Sequence, residues 1–534
     1  MKNNGKFNVV VADKVSPSGL QALTDDARFE VVFTAGGELG TLEHALARAD
    51  ALIVRSATKV TSELLASAPQ LKVIGRAGIG VDNIDLEAAT RRGVPVLNAP
   101  AGNTVSAAEL TFALILATAR RVPSADRSVR AGEWQRSRFA GIELRGKTLG
   151  LIGAGRIGSE VAKRARGFGM RVFVHDPYLS EERATRLGVS RVSLDEILER
   201  ADVVSLHVPL TKSTEGMIGA EELARMKPTA FVVNVSRGGV LDEPALAHAL
   251  AEGQIAGAAL DVFAGEPLPE DSPLRDAPNL VLTPHLGAST AEAQELVAGE
   301  IAEAVKAALL HGDLTRAVNA PAIGGEALAR LRPLLGLARR AGRLARAITS
   351  GGLHSVEIRY AGEETNGLSS LLASVLVGLM SNALGRDRVN FVNAAHLARE
   401  RGIRLSTTRS ERRSDYSEYL EVRIRADSGK TQVAGALLEG QHPRLVRVDG
   451  YRVDIVPHGT LIVLQNRDVP GVIGRVGTLL GEHGLNIAEY HQARPLSGGD
   501  AFAAISVDGE VSSELVDELE AMNDVLKARA VDLG

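Results

Sequence analysis

The stretch from Lys147 to Asp176 constrains this chain more than any other. It reads K-T-L-G-L-I-G-A-G-R-I-G, continues at helical spacing, and ends in R-V-F-V-H-D. An apolar strand, Thr148–Ile152, runs into Gly153, Gly155 and Gly158. The following segment places Ile157, Val161, Ala165 and Phe168 on one helical face, and a second strand, Val172–Val174, leads to Asp176. Each glycine has a physical reason: Gly153 for a tight turn, Gly155 for close approach of backbone to a pyrophosphate, Gly158 for close packing of helix on strand. The helix N-terminus offers unpaired N–H groups to phosphate oxygens. Asp176 lies about 20 residues beyond the last glycine, where a carboxylate binds ribose hydroxyls. That acid repels a 2′-phosphate, and Pro177, Tyr178 and Leu179 add no cation, so the expected dinucleotide is NAD rather than NADP.

The rest of the chain is read around this unit. Residues 7–98 alternate short apolar strands with amphipathic helices, the pattern of a parallel sheet covered by helices, but carry no dinucleotide fingerprint. Thr104–Arg120 reads as a buried connecting helix with Glu109 as its only acid, and Ser289–Leu310 as a long helix that packs back on the first unit. The expected fold class is therefore α/β: a Rossmann-type doubly wound nucleotide-binding domain over 102–286, and a flavodoxin-like substrate domain split between 1–101 and 287–318. Two α+β domains follow. In 319–457, Leu328–Ile348 reads as an Arg-rich amphipathic helix broken near Pro333, Leu368–Asn382 as a helix, and Ser355–Tyr360, Leu420–Ala426 and Leu445–Val448 as strands. Residues 458–534 have the β-α-β-β-α-β order of a ferredoxin-like module.

Composition excludes several classes. A net charge of −4 argues against a general nucleic-acid binder. The absence of cysteine removes disulfides, thiolate catalysis and cysteine metal sites, and no metal is expected. Met1–Phe7 is polar and basic, unlike a signal peptide, and no apolar run is long enough for a bilayer, so a cytoplasmic protein without membrane contact is expected.

Three stretches carry further chemistry: N-V-S-R-G-G at 234–239, D-V-F-A-G-E-P at 261–267 and T-P-H-L-G-A-S-T at 283–290. Each follows an expected strand of the nucleotide-binding sheet, and ligands of such sheets sit beyond the carboxyl ends of the strands. Arg237, Glu266 and His285 are thereby brought toward one crevice. A guanidinium fork suits a carboxylate, an imidazole moves a hydroxyl proton near neutrality, and a carboxylate holds that imidazole in one orientation. Taken singly, each could be a loop or surface residue; together, behind a dinucleotide fingerprint, they suggest oxidation or reduction at a hydroxyl-bearing carbon. Arg55, in V-R-S-A-T-K-V, and Arg76, in G-R-A-G, follow strands of the first unit and are candidates for a second anionic group on the substrate.

With G-R-A-G-I-G-V-D-N-I-D at 75–85, the glycine motif, the three strand-end stretches and R-D-V-P-G at 467–471, the whole chain resembles the long, regulated D-isomer-specific 2-hydroxyacid dehydrogenases. The resemblance implies Arg237, Glu266 and His285 as catalytic residues. It implies NAD contacts at Arg156, Ile157 and Asp176, with Ile79, Ser236, Asp261 and Gly287 in addition, and a substrate contact at Asn103. The reaction implied is oxidation of 3-phospho-D-glycerate to 3-phosphooxypyruvate, which opens phosphorylated serine biosynthesis. A hydroxypyruvate or glyoxylate reductase on the same scaffold and a non-catalytic NAD(H)-sensing regulator stay open. The last module resembles the ACT domain and the region before it the family's intervening domain. Asp468 and Asn486 align with an effector site for L-serine between paired modules. Asn466 stands where some relatives carry an aromatic residue. Arg136 and Arg138, flanking Trp134 closely, fall where the family forms subunit contacts, so a homo-oligomer is expected.

Overall fold

The computed structural model describes residues 5–34, 39–362, 367–385, 387–410, 416–494 and 499–534. Of Met1–Phe7, read above as no signal peptide, Met1–Asn4 lie outside the described residues. Among the described residues the chain forms four sheets. The first contains β1 (Phe7–Val11), β2 (Phe29–Phe33), β3 (Ala51–Val54), β4 (Val73–Arg76) and β5 (Val96–Asn98), all parallel, in the order β2-β1-β3-β4-β5. That is the flavodoxin-like order. Helix Ala291–His311 returns to this sheet and buries Val297, Ala298, Ile301, Ala302 and Val305 against β1, β3 and β4. Gly75 in β4 makes this packing close, because a Cβ there would meet Val305 and Ile301.

The second sheet contains β6 (Thr148–Ile152), β7 (Arg171–His175), β8 (Ser190–Arg191), β9 (Val203–Leu206), β10 (Phe231–Asn234), β11 (Gly257–Leu260) and β12 (Leu280–Leu282). It is wholly parallel, in the order β12-β11-β10-β9-β6-β7-β8, with the topological switch between β6 and β9. Its strands are near-continuous apolar runs because both faces are covered. Helix Thr104–Ala119 connects the two sheets and is buried along most of its length. Phe168, expected on the buried face of the helix after the glycine turn, instead caps that helix, is 47% exposed, and leans on Phe112 at 4.7 Å between ring centres. Gly158, Val161, Ala162 and Ala165 form the buried face.

The third sheet is mixed: β13 (Leu353–Ala361), β14 (Arg404–Arg409), β15 (Glu418–Ala426), β16 (Gly429–Leu438), β17 (His442–Val448) and β18 (Tyr451–Ile455), in the order β14-β13-β15-β16-β17-β18. Helices Gly325–Ile348 and Leu368–Leu384 cover it. The first of these corrects an expectation, since it runs unbroken through Pro333. An interior proline costs about 3 kcal/mol. Leu331, Leu334, Leu337 and Leu344 are each at most 5% exposed, and burying them contributes about 1.5–3 kcal/mol apiece, which outweighs the proline.

The fourth sheet is antiparallel: β19 (Thr460–Arg467), β20 (Asn486–Ala493), β21 (Asp500–Asp508) and β22 (Val525–Asp532), in the order β20-β21-β19-β22. One face carries helices Val472–Glu482 and Ser513–Ala521. The other face adds Leu461, Val463, Phe502, Ala504, Val531 and Leu533 to the core beneath helix Gly325–Ile348. The last two units therefore share one apolar core.

Candidate active site

A cavity of about 1060 Å³ opens between the first two sheets, beyond the carboxyl ends of β4, β6, β9, β10, β11 and β12. That is at the upper end of the usual range for small-molecule sites. Gly155, Arg156, Ile157, Ser236, Arg237, Glu266, His285 and Gly287 line it from the nucleotide-binding side. Arg55, Arg76, Ile79 and Asn103 line it from the other. Twelve expected site residues thus line one cavity. Gly153, Gly158, Asp176 and Asp261 are outside its lining, and Asp468 and Asn486 lie in the fourth sheet's module.

The glycine turn is built as its sequence requires. Gly153 has φ +97°, a conformation side chains rarely adopt, and a Cβ there would lie 2.6 Å from the His207 carbonyl oxygen. A Cβ on Gly158 would meet the Gly153 carbonyl oxygen, so turn and helix are in contact. A Cβ on Gly155 would meet nothing within 4 Å: this position faces open cavity. Helix Arg156–Gly167 starts at Gly155 with no side-chain cap. These features fit a dinucleotide, with free space and uncapped N–H groups where phosphates sit. Asp176 accepts hydrogen bonds from Ala154 N and Tyr178 N, both at 2.8 Å, which ties the end of β7 to the turn.

His285 and Glu266 are in contact. His285 Nδ1 lies 2.7 Å from Glu266 Oε2, and Phe263 N donates to Glu266 Oε1 at 3.1 Å. Burial alone would raise the Glu266 carboxyl; the His285 hydrogen bond and charge, helped by Phe263 and Arg237, outweigh it and hold the group below its ordinary value. An ionised Glu266 accepts from Nδ1–H, which leaves Nε2 of His285 as the nitrogen available for proton transfer. His285 has φ +53°, an unusual conformation for a side-chain-bearing residue. Asp261 supports it: Oδ1 accepts from Thr283 Oγ1 at 2.6 Å and Leu286 N at 2.7 Å, and Oδ2 from Gly287 N at 2.9 Å. Asp261 itself is 0% exposed beneath the His285 loop.

Arg237 is held as firmly. Asn234, 1% exposed, donates to the Arg237 carbonyl oxygen at 2.9 Å and accepts from Ser236 N and Oγ. The Arg237 guanidinium donates to Ser236 O at 2.6 Å and, through Nε, to Asp82 Oδ2 of the first domain at 3.1 Å. Gly80 leaves room for that guanidinium, and Gly78 for the one of Arg76. Gly238 lets this loop abut the Phe263 backbone, which brings Arg237 and Glu266 to the same part of the wall.

Three guanidiniums converge here. Burial first, then the charges of Arg237 and Arg55, pull Arg76 down to about 10, against the opposing pull of Asp82 and Asp13. Arg76 Nε is buried without a hydrogen-bond partner among the described residues. Asp13, 7% exposed, accepts from Arg55 N, Thr58 N and Thr58 Oγ1, and Asn83 donates to the carbonyl oxygens of Arg55 and Thr58. The sequence reading missed Asp13, Asp82, Asn83 and Asn234. Asp82, Asn83 and Asn234 lie inside the stretches at 75–85 and 234–239 already quoted, and Asp13 closely follows β1, so position was their signal.

In the fourth sheet the register separates the two effector candidates. Asn486 pairs with Asp508, at one end of β21, and Arg467, next to Asp468, pairs with Asp500, at the other. Eight residue steps of strand, roughly 26 Å, separate those ends. Asp468 is paired with Arg494 at 3.3 Å, and Asn486 donates to Asp508 Oδ2 at 2.7 Å. Arg136 and Arg138 sit on the short helix Arg136–Phe139, and neither lines the cavity. Among the described residues no helix is long and apolar enough to cross a membrane, and no group of His, Asp and Glu is arranged to hold a metal ion.

Comparison with known proteins agrees with this architecture. Residues 112–287 match the family described as D-isomer specific 2-hydroxyacid dehydrogenase, NAD binding domain. Residues 330–449 match the D-3-phosphoglycerate dehydrogenase intervening domain, and residues 460–524 the ACT domain. D-3-phosphoglycerate dehydrogenase of Bacillus subtilis is 41% identical over 527 residues, 99% of this chain and 100% of its own length. The protein of that name from Methanocaldococcus jannaschii is 41% identical, over 98% of this chain and 99% of its own. Among solved structures, the Thermus thermophilus protein TT0316 aligns with TM-score 0.52 and 39% identity, over 57% of this chain and 97% of its own. D-lactate dehydrogenase of Aquifex aeolicus, solved with NAD and lactic acid, aligns with TM-score 0.51 and 34% identity, over 58% of this chain and 97% of its own. The cavity, its NAD-binding glycine turn and matches that run the length of the chain lead to one assignment: the chain belongs to the D-3-phosphoglycerate dehydrogenases, within the D-isomer-specific 2-hydroxyacid dehydrogenase family.

Proposed function

We propose that this chain oxidises 3-phospho-D-glycerate to 3-phosphooxypyruvate with NAD, in four units: a split substrate domain (1–101 and 287–318), a nucleotide domain (102–286), an intervening domain (319–457) and an ACT domain (458–534). The observation that carries the chemistry is the 2.7 Å contact of His285 Nδ1 with Glu266, on the same wall as Arg237 and the glycine turn. Arg237 holds the substrate carboxylate through charge-assisted hydrogen bonds and draws electron density from C2. His285 Nε2 takes the proton of the C2 hydroxyl as the carbonyl forms. Glu266 keeps the imidazole in one tautomer and balances its positive charge after proton transfer. Bound NAD supplies the hydride acceptor, with Asp176 at the adenosine ribose and Gly155, Arg156 and Ile157 at the phosphates. Arg55 and Arg76 take the phosphate of the substrate. The crowding of three guanidiniums, which destabilises the charge on Arg76, supports a substrate with two anionic ends. His285→Asn is the direct test: turnover should fall while NADH affinity stays within about twofold, and intact turnover would reject the acid–base role.

We extend the proposal to regulation and assembly. Asp468 and Asn486 bind L-serine across two copies of the ACT domain, since one copy keeps them at opposite strand ends. The chain is a homo-oligomer whose subunits meet at the segment of Val122, Val129 and Trp134, which are 54%, 56% and 77% exposed. Such a cluster of exposed apolar groups beside arginines suits a protein interface.

A further inference from the structure

A second histidine stands at the cavity, outside the catalytic trio. His207 follows β9 directly and sits at the switch point of the nucleotide sheet. Its carbonyl oxygen lies against Gly153, and its Cβ is 3.5 Å from where a Cβ on Gly158 would be. The imidazole is therefore under the first turn of helix Arg156–Gly167, beside the phosphate-binding end of the cavity, and it forms part of the cavity wall. Its Nε2 lies 2.9 Å from Oγ of Ser205, which is 0% exposed.

Ser205 Oγ has no other partner among the described residues, and either atom of the pair can donate. With Ser205 donating to Nε2, a neutral imidazole carries its proton on Nδ1. Burial pulls the imidazole down to about 4, so it is uncharged at neutral pH. Nδ1 has no protein partner among the described residues, and His207 lines the cavity. A neutral ring suits this place, because a positive charge would face the positive end of the helix.

We propose that His207 is a cofactor-positioning residue whose Nδ1–H, fixed by Ser205, donates a hydrogen bond to an oxygen of the pyrophosphate–ribose backbone of NAD. The inference rests on the NAD reading of the cavity. An asparagine amide reaches the position of Nδ1 and a glutamine amide that of Nε2, so the two amides separate this donor from simple packing. NADH and ADP-ribose affinities, by titration calorimetry on the full chain, test it. His207→Ala and His207→Gln should each weaken both ligands about tenfold, His207→Asn should stay within about twofold of wild type, and Ser205→Ala should weaken them about threefold. The KM for NAD should follow these affinities while kcat at saturating NAD changes less than twofold. AMP, which lacks the pyrophosphate bridge, should bind all variants alike. Equal weakening by Asn and Ala, or wild-type affinity in all variants, would overturn the inference while leaving the NAD site intact. Failure of the wild type itself to bind NADH would instead overturn the NAD reading.

Discussion

The cleft and the ACT domain solve the same problem, collecting polar groups at one site, in opposite ways. In the cleft, Asp82 and Arg237 are 155 residues apart in sequence and 3.1 Å apart in space. In the ACT domain, Asp468 and Asn486 are close in sequence and held at opposite ends of β21. The difference is strand direction. A parallel sheet sends every strand's carboxyl end to one edge, so residues that follow β4, β9, β10, β11 and β12 all reach one cavity. An antiparallel sheet alternates its ends, so residues beside successive strands scatter to both edges. One chain therefore gathers Arg237, Glu266 and His285 at one cavity but holds Asp468 and Asn486 apart.

The cleft side of the comparison breaks most severely at the proton-transfer residue. His285→Ala should lower kcat roughly 10²–10⁴-fold, the usual contribution of a general base, with NADH affinity retained. A steady-state assay with a parallel NADH titration checks both parts. Removing the Arg237 guanidinium should cost about 2–4 kcal/mol in kcat/KM, a loss of roughly 30- to 1000-fold, and equally so for phosphorylated and unphosphorylated acids, because every substrate of the class has the carboxylate.

The ACT side is sharpened by mixing. Asp468→Ala and Asn486→Ala homo-oligomers should each lose L-serine binding in equilibrium dialysis. Hybrids of the two should regain half the sites, since one composite site then keeps both native residues. Hybrids as inert as their parents would mean that the two residues do not share a site.

The smallest expected effect concerns pH. Glu266 titrates below its ordinary value in the folded chain, so its contribution to stability is present above the unfolded value near 4.5 and is lost as pH falls through the lower folded value. Chemical denaturation between pH 6 and pH 3 should show wild type losing stability relative to Glu266→Gln only in the acidic part of that range. Parallel curves throughout would contradict the ionised Glu266 that orients His285.

What was legible in the sequence follows the same division. The glycine turn, the strand-end stretches of Arg237, Glu266 and His285, and the long helix returning to the first sheet are local signals with a direct physical cause. Hidden were residues whose role is set by what folds against them. Asp13 acts on Arg55 from the end of another strand, and Ser205 matters only through His207. Asp261 was singled out by its place after a strand, but its hold on Thr283, Leu286 and Gly287 shows only in the folded chain. In the intervening domain, β16 reads G-K-T-Q-V-A-G-A-L-L, poor in strand formers. It is a strand because Gly435 and its small neighbours let Leu337 of the covering helix press on the sheet. Pro333 lost its usual meaning to the leucines that flank it.

If Arg237 and His285 act on an acid whose far end is a phosphate held by Arg55 and Arg76, kcat/KM for NADH formation from 3-phospho-D-glycerate and from D-glycerate, in wild type and in Arg76→Ala, will show it. Wild type should prefer the phosphorylated acid at least a hundredfold. The variant should lose that preference tenfold or more, through KM. Equal values for the two acids in wild type, or a preference untouched by removing Arg76, would contradict that reading.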